Sequence, residues 1–242
     1  MRTASAALFV TAFGVALAAP IPKPKDDLKP ATDEQRKEVQ NNLKQIGLAL
    51  LNYESAYGHL PGDVIDAKTK KPLLSWRVQL LPFFEEDDLY RQFKLDEPWD
   101  SENNKKLIEK LPKVFAPTRA KAKPGETFYR GFAGKGESAG LFAPGKPARI
   151  VEFTDGLSHT IGIIDAGEPV VWTKPDSDLP VDPKGELPKL GGMIDEDFYC
   201  VMMDGSVKTV KRNFKIAAMR AAISRAGGEV IDDKDLFAGN DE

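Results

Sequence analysis

Three aspartates between Pro175 and Pro183 have the most readily recognised chemistry in this sequence. Asp176, Asp178 and Asp182 lie close together in a proline-containing stretch. Carboxylate and carbonyl oxygens on a flexible loop are the ligands that calcium prefers. The order of residues lacks the glycine and the terminal glutamate of an EF-hand loop. Two interpretations therefore stand: a calcium site formed by the three aspartates, or a solvated acidic loop.

A second pair of carboxylates flanks a tryptophan. Glu97 and Asp100 lie on either side of Trp99, and acidic residues beside an aromatic ring are typical of sites that handle sugars. The pair gives two functional hypotheses, a carbohydrate-binding surface around Trp99 and Trp172 and a hydrolase that uses two carboxylates. The alternative is that Trp99 fills a gap in the core.

Other catalytic chemistry has little support. Cys200 is the one cysteine, and its neighbours predict a buried strand. The two histidines are His59, after the glycine that ends a predicted helix, and His159, next to Ser158. The sequence contains no G-x-S-x-G, P-loop or H-E-x-x-H motif. We therefore expect a protein that is not an enzyme and has no cofactor, with calcium as the alternative.

Charge and cysteine content exclude several further classes. Lys and Arg number 34 against 37 Asp and Glu, for a net charge of −3, whereas binding to a phosphate backbone requires a basic excess. Nucleic acid is therefore not an expected partner. A single cysteine forms no internal disulfide and no cysteine-based zinc site. The proportion of hydrophobic residues, 41%, is that of a globular protein.

The amino-terminal segment has the pattern of an export signal. One arginine precedes an uncharged run from Ala4 to Leu17, which ends in the small-x-small pattern of residues 16–18. The run is shorter than the about 20 residues that span a bilayer. We expect residues 1–18 to be a signal peptide and the protein to be periplasmic or extracellular, without a mature transmembrane helix. The alternative is a leader retained as an anchor.

A proline-rich spacer and a long helix are predicted next. Residues 19–30 contain four prolines among charged residues, a composition typical of a semi-rigid linker. Thr32 and Gln35 have the spacing of a capping box. Apolar residues then recur at helical spacing up to Tyr57, before Gly58. Leu48 and Leu51 widen the apolar face, which favours burial of the helix in the domain.

The remaining elements predict an α+β fold. Short helical segments after Ser75 and Ser101 are followed by β-type runs, and Asp204-Gly205 predicts a hairpin over Phe198 to Val210. No regular alternation of strand and helix is present, which favours an antiparallel sheet. We expect one domain over residues 31–232, with a helix over Asn213 to Arg225, and an acidic, frayed tail over 233–242. The other predicted strands are 127–132, 149–153, 160–164 and 170–172.

Several motifs resemble one family in order along the chain. The segment Asn41 to Leu50 is similar to the region that follows the membrane helix in a large planctomycete family of exported, pilin-like proteins, domain of unknown function 1559. The likeness continues to Val230 and covers almost all of the mature chain. The motifs that carry it include Leu74-Ser75-Trp76-Arg77-Val78, Glu97-Pro98-Trp99-Asp100, Thr154-Asp155-Gly156, Val171-Trp172-Thr173-Lys174-Pro175 and Asp204-Gly205-Ser206.

The resemblance implies a fold similar to that of type II secretion pseudopilins, in which a long amino-terminal helix packs on an antiparallel sheet. Some pseudopilins hold calcium in a loop, which is a further reason to consider the three aspartates. Typical members begin with a prepilin leader and an apolar helix, whereas this chain begins with an Ala-type signal peptide. This departure from the family pattern favours a freely exported head domain, which we expect to act in protein interaction or envelope structure. Its expected partners are envelope or secreted proteins, or copies of itself.

Overall fold

The computed structural model describes residues 30–134, 141–142, 147–182, 185–194 and 197–239. The predicted signal peptide, and the spacer up to residue 29, lie outside the described residues. Helix α1, Asp33–Tyr57, starts at the predicted capping box: Thr32 accepts from the backbone N–H of Gln35, and the Gln35 side chain accepts from that of Thr32. It ends at Gly58, whose φ of 74° only glycine adopts without strain.

Short elements connect α1 to the sheet. Strands β1, Val64–Ile65, and β2, Pro72–Leu74, form the small antiparallel hairpin. Ser75 caps helix α2, Trp76–Gln79, as the sequence predicted, and helix α3 is Asp87–Tyr90. Single 3-10 turns make up the rest of this region: Leu81–Phe84, Asn104–Leu107 and Lys113–Phe115.

The central sheet has four antiparallel strands. They are β3, Glu126–Arg130; β5, Ile161–Val171; β7, Phe198–Met202; and β8, Val207–Val210, in that spatial order. Strands β4, Phe132–Ala133, and β6, Leu179–Pro180, pair in parallel beside it. The predicted hairpin of β7 and β8 is confirmed, with Gly205 at φ 82° in its turn.

Helices cover both faces of this sheet, because side chains alternate along each strand. Tyr199 and Val201 belong to the apolar cluster that includes α1. Cys200 and Met202 belong to a second cluster, which includes helix α4, Ile216–Ile223. The fold is therefore α+β, with the sheet between a long and a short helix. Among the described residues, no helix is both long and apolar enough to cross a membrane.

Helix α1 approaches the sheet closely at Gly47. A Cβ atom there would lie 2.6 Å from a methyl carbon of Val201 and 3.4 Å from the backbone of Gly205. Lys44 donates to the carbonyl of Gly205 at 2.9 Å. A residue without a side chain thus allows α1 to lie directly on β7 and on the β7–β8 turn.

Four predicted details are wrong. Residues 150–152 form a 3-10 turn instead of a strand, because the backbone N–H groups of Glu152 and Phe153 donate to the nearby carbonyls of Arg149 and Ile150. The two predicted strands 160–164 and 170–172 are one strand, β5. Leu48 remains 46% exposed, since it lies off the face of α1 that meets the sheet. The expected frayed tail instead has a 3-10 turn over Asp233–Asp235 and buries Phe237 against the sheet.

Candidate functional site

Asp178, one of the three calcium candidates, points into the protein. Its side chain is 4% exposed and lies 3.3 Å from a terminal nitrogen of Arg77, which is fully buried. The indole N–H of Trp76 and the backbone N–H of Gly131 each donate to it at 3.0 Å. Three donors therefore occupy the oxygens that a calcium ion would need.

Arg77 is held from several sides. Two of its nitrogens donate to the carbonyl of Tyr129, at 3.2 and 2.8 Å. A third donates to the hydroxyl of Ser75 at 2.8 Å and lies 3.4 Å from that of Ser177. A buried ion pair is stable only when further hydrogen bonds satisfy both partners. Arg77 and Asp178 meet that condition, and they fasten the loop 173–180 to α2 and β3.

Asp63 completes this buried charge cluster, which we define as Asp63, Arg77 and Asp178. One oxygen of Asp63 accepts from the backbone N–H of Trp76 at 3.0 Å, and the other from that of Asp176 at 2.7 Å. Burial raises the pKa of Asp63 to about 6, and the negative charge of Asp178 adds to the rise. The carboxyl group of Asp63 thus joins the start of α2 to the loop at Asp176.

The structure does not bring the three aspartates together as ligands. Asp176 and Asp182 are exposed, whereas Asp178 is buried beside Arg77. Asp176 has a φ of 50°, and its backbone N–H is bonded to Asp63. Within the described residues, no group of three acidic, histidine or cysteine side chains has an arrangement that could hold a metal ion.

Asp182 instead lines a pocket of about 220 Å³. Arg220 also lines this pocket and donates to the carbonyls of Asp182, at 2.6 Å, and Gly185. The wall contains further carboxylates, from Glu186 and Glu229, and apolar side chains of Phe132 and Ile223. A cavity of this kind suits a small ligand that has both an apolar side and polar groups.

Glu97, one of the two carboxylates around Trp99, has the opposite pKa shift to that of a general acid. Glu97 lies 2.9 Å from the amine of Lys94, which lowers its pKa, whereas a general acid needs a raised one. Trp99 is half-buried, with Lys174 over its ring at 5.7 Å. Trp172 is fully buried and donates to the carbonyl of Ile108, so its ring is closed to a sugar.

The remaining candidate residues are placed as follows. Cys200 is buried in β7, and burial raises the pKa of its thiol to about 12. The hydroxyl of Ser158 lies 3.3 Å from Nδ1 of His159, and both side chains are exposed. His59 is half-buried at the exit of α1, as predicted. Its Nδ1 is 2.9 Å from the carbonyl of Leu60.

A surface that the sequence did not indicate lies at the carboxyl end of α1. We call it the aromatic patch: Tyr53, Tyr57, His59, Phe83 and Tyr90. The rings of Tyr53 and Tyr57 are 4.5 Å apart, and Phe83 lies 5.6 and 6.4 Å from them. Tyr57 is 60% exposed. Burial raises the pKa of Tyr53 to about 12, and the nearby hydroxyls of Tyr57 and Tyr90 add to the rise.

An acidic run, Glu85–Asp88, joins Phe83 and Tyr90 along the chain. Glu85, Asp87 and Asp88 are exposed, and Glu86 is half-buried. In the described part of the chain, none of the four side chains forms an ion pair. The aromatic patch therefore borders a negative charge that the described residues leave uncompensated.

Comparison with known proteins gives one match. Residues 36–196, about two thirds of the chain, match the model of SBP_bac_10, described as a protein of unknown function (DUF1559). The chain belongs to this family. No curated protein and no solved structure matches. The match begins within the first turn of α1, includes the rest of that helix, the buried charge cluster and the aromatic patch, and ends before β7.

Proposed function

We propose that this chain is an exported, non-enzymatic protein whose pilin-like domain acts in protein interaction or envelope structure. The aromatic patch is the observation that carries this proposal. Exposed tyrosines are enriched at protein interfaces, because they bury a large rigid surface at a small cost in entropy. The 60% exposure of Tyr57 in a cluster of rings fits such a role.

The arrangement of α1 supports the pilin-like part of the proposal. A long amino-terminal helix lies directly on an antiparallel sheet through Gly47 and Lys44. The structural uses of the carboxylates support a non-enzymatic role. Asp178 holds Arg77, Asp63 joins two segments, and Glu97 pairs with Lys94.

Cell fractionation and site-specific crosslinking test the proposal. We expect the protein in the periplasmic or extracellular fraction, with an amino terminus at Ala19 after removal of residues 1–18. A photoreactive amino acid at Tyr57 should give discrete crosslinked species, and the same group at Val230, which is 98% exposed, serves as control. A cytoplasmic protein with an intact leader contradicts export. Equal crosslinking from both positions contradicts a specific interaction surface.

The pocket beside Asp182 supports a second candidate, the calcium- or carbohydrate-binding module. Its carboxylates, Arg220 and apolar wall offer contacts to a polar ligand such as a sugar. Calorimetry with calcium and with glycans is the test. Binding that disappears in Asp182→Asn and Glu186→Gln, but not in Asp176→Asn, would support this candidate. No heat with any of these ligands would exclude calcium and the tested glycans as ligands.

A further inference from the structure

The chain contains a segment rich in proline and lysine. Such a segment can bind an aromatic surface that lies beside an acidic run. Residues 19–25, APIPKPK, have three prolines and two lysines and no acidic residue. Proline-rich segments bind aromatic surfaces with a small loss of entropy, since proline already restricts the backbone. The rings of Tyr57 and Phe83, 6.4 Å apart, offer such a surface.

The charges of the proline-rich segment and of the region around the aromatic patch are complementary. Residues 81–93, which include Phe83, the acidic run and Tyr90, have four acidic residues and one cation, Arg91. Lys23 and Lys25 alternate with prolines and give residues 19–25 a charge of +2, and Asp26 and Asp27 follow them. Opposite charges at the rim of an interface increase the rate of association and fix the orientation of the partners.

The length of the chain decides which copy donates the segment. Helix α1 rises about 1.5 Å per residue, so Tyr57 lies roughly 37 Å along the helix from Thr32. A fully extended chain spans at most about 3.6 Å per residue. Lys25 therefore reaches at most about 25 Å from Thr32, and Lys23 about 32 Å. Neither lysine reaches the level of Tyr57 in its own chain, whereas a segment from a second copy has no such limit.

We infer that residues 19–25 of a second copy of this chain bind across the aromatic patch, with Lys23 and Lys25 against the acidic run. This inference rests on the proposed function and names the partner, which is the chain itself. Each copy then donates one segment and offers one patch. Two copies can exchange their segments in a closed dimer. Alternatively, each copy can bind the segment of the next copy in an open assembly.

Sedimentation velocity of the mature chain, residues 19–242, over a range of concentrations tests this inference. We expect reversible self-association that weakens at least tenfold in Tyr57→Ala and is unchanged in Val230→Ala, which also shortens an exposed apolar side chain. Raising the salt concentration from 0.1 to 0.5 M should weaken it further. Excess synthetic peptide APIPKPKDDLKP should dissociate the assembly, and a peptide with both lysines of residues 23 and 25 replaced by glutamate should not.

Reversal of the charges on the segment and on the acidic run tests the pairing of these two regions most directly. Lys23→Glu with Lys25→Glu should abolish association, as should Glu85→Lys with Asp88→Lys. Mixing these two variant proteins, or combining all four changes in one chain, should restore it. Circular dichroism of each variant checks that the fold is retained, as expected for exposed Glu85 and Asp88.

The outcomes separate this inference from the proposed function. Association that is insensitive to Tyr57→Ala and to the charge exchange overturns the role of residues 19–25, while an interaction role for the chain stands. A strict monomer at all concentrations overturns the inference, and crosslinks from position 57 to other proteins would then still support the proposed function. A strict monomer without specific crosslinks overturns both.

Discussion

Asp178 and Asp165 are two buried carboxyl groups with different surroundings. Asp178 has an arginine, an indole N–H and a backbone N–H within 3.3 Å. Asp165 is fully buried in β5, opposite Tyr129 of β3. Within the described residues, neither of its oxygens has a hydrogen bond of standard geometry. At similar burial, Asp178 has a counter-ion and several donors to stabilise a negative charge, and Asp165 does not.

The two groups also differ in what opposes the effect of burial. Burial raises the pKa of both carboxyl groups. For Asp178 the charge of Arg77 and the donors from Gly131 and Trp76 counteract that rise. For Asp165 only the backbone N–H of Met193 does so, and its pKa stays well above the ordinary value. We therefore expect a salt bridge at Asp178 and a neutral acid at Asp165.

Removal of the Arg77 charge should decrease the stability of the protein more than any of the other substitutions. Arg77→Met leaves Asp178 buried without its counter-ion, and breaking one side of a buried pair costs about 3–5 kcal/mol. Denaturant unfolding should show this loss, and the loss should grow with pH because the remaining carboxyl group must then be charged. Arg91→Met, at an exposed site, should change stability by less than about 0.5 kcal/mol. Equal stability of the two variants would contradict a structural role for the pair.

Asp165→Asn should increase the free energy of unfolding at high pH, whereas Arg77→Met should decrease it. Because the pKa of Asp165 is raised on folding, its contribution to stability is present below the unfolded pKa and is lost as the pH rises. The loss amounts to up to about 1.4 kcal/mol per pH unit. The variant keeps the shape and cannot ionise, so it should be more stable than the wild type at pH 8 and similar at pH 4. Urea titrations at both values test this, and a deficit at pH 8 would contradict a neutral Asp165.

The contribution of Asp63 to stability should also fall as the pH rises, but by less than that of Asp165. Its pKa of about 6 exceeds that of an unfolded aspartate, so its contribution should fall by about 1 kcal/mol between pH 5 and pH 7. Carboxyl NMR should give a midpoint near 6. In Arg77→Met the midpoint should move upward, since the arginine charge lowers the pKa of Asp63. An ordinary midpoint near 4 would contradict the burial of this group.

Loss of an exposed carboxylate should change stability less than loss of a buried one. Glu97 lies at the surface beside Lys94, and solvent screens that pair. Glu97→Gln should leave the unfolding midpoint unchanged within error at neutral pH. A loss comparable to that of Arg77→Met would show that the surface pair has a structural role.

Local patterns explain which parts of the fold the sequence predicted. The capping box at Thr32, the apolar spacing up to Tyr53 and the stop at Gly58 are all contained in one short segment, so α1 follows from nearby residues. The Asp204-Gly205 turn defines the β7–β8 hairpin in the same way. These elements need no information from distant parts of the chain.

The candidate site depends on contacts between distant residues. Arg77 and Asp178 are 101 residues apart, and no local pattern shows that Asp178 points inward while Asp176 points outward. The three aspartates therefore left a calcium site and a solvated acidic loop as alternatives. Tyr57 lies on the same helical stripe as Tyr53, but it occupies the last turn, where it remains exposed. The patch thus requires the positions of Phe83 and Tyr90, which only the fold provides.

Strand β5 has a consequence for hydrogen exchange. It is bonded to β3 on one side and β7 on the other, and it contributes side chains to both apolar clusters, Ile163 to one and Ile164 to the other. The amide hydrogens at its centre can exchange only when its hydrogen bonds to β3 and β7 break, and that separation disrupts both apolar clusters. Their exchange therefore reports the global opening of the domain, whereas amides at the ends of α1 report only local fraying.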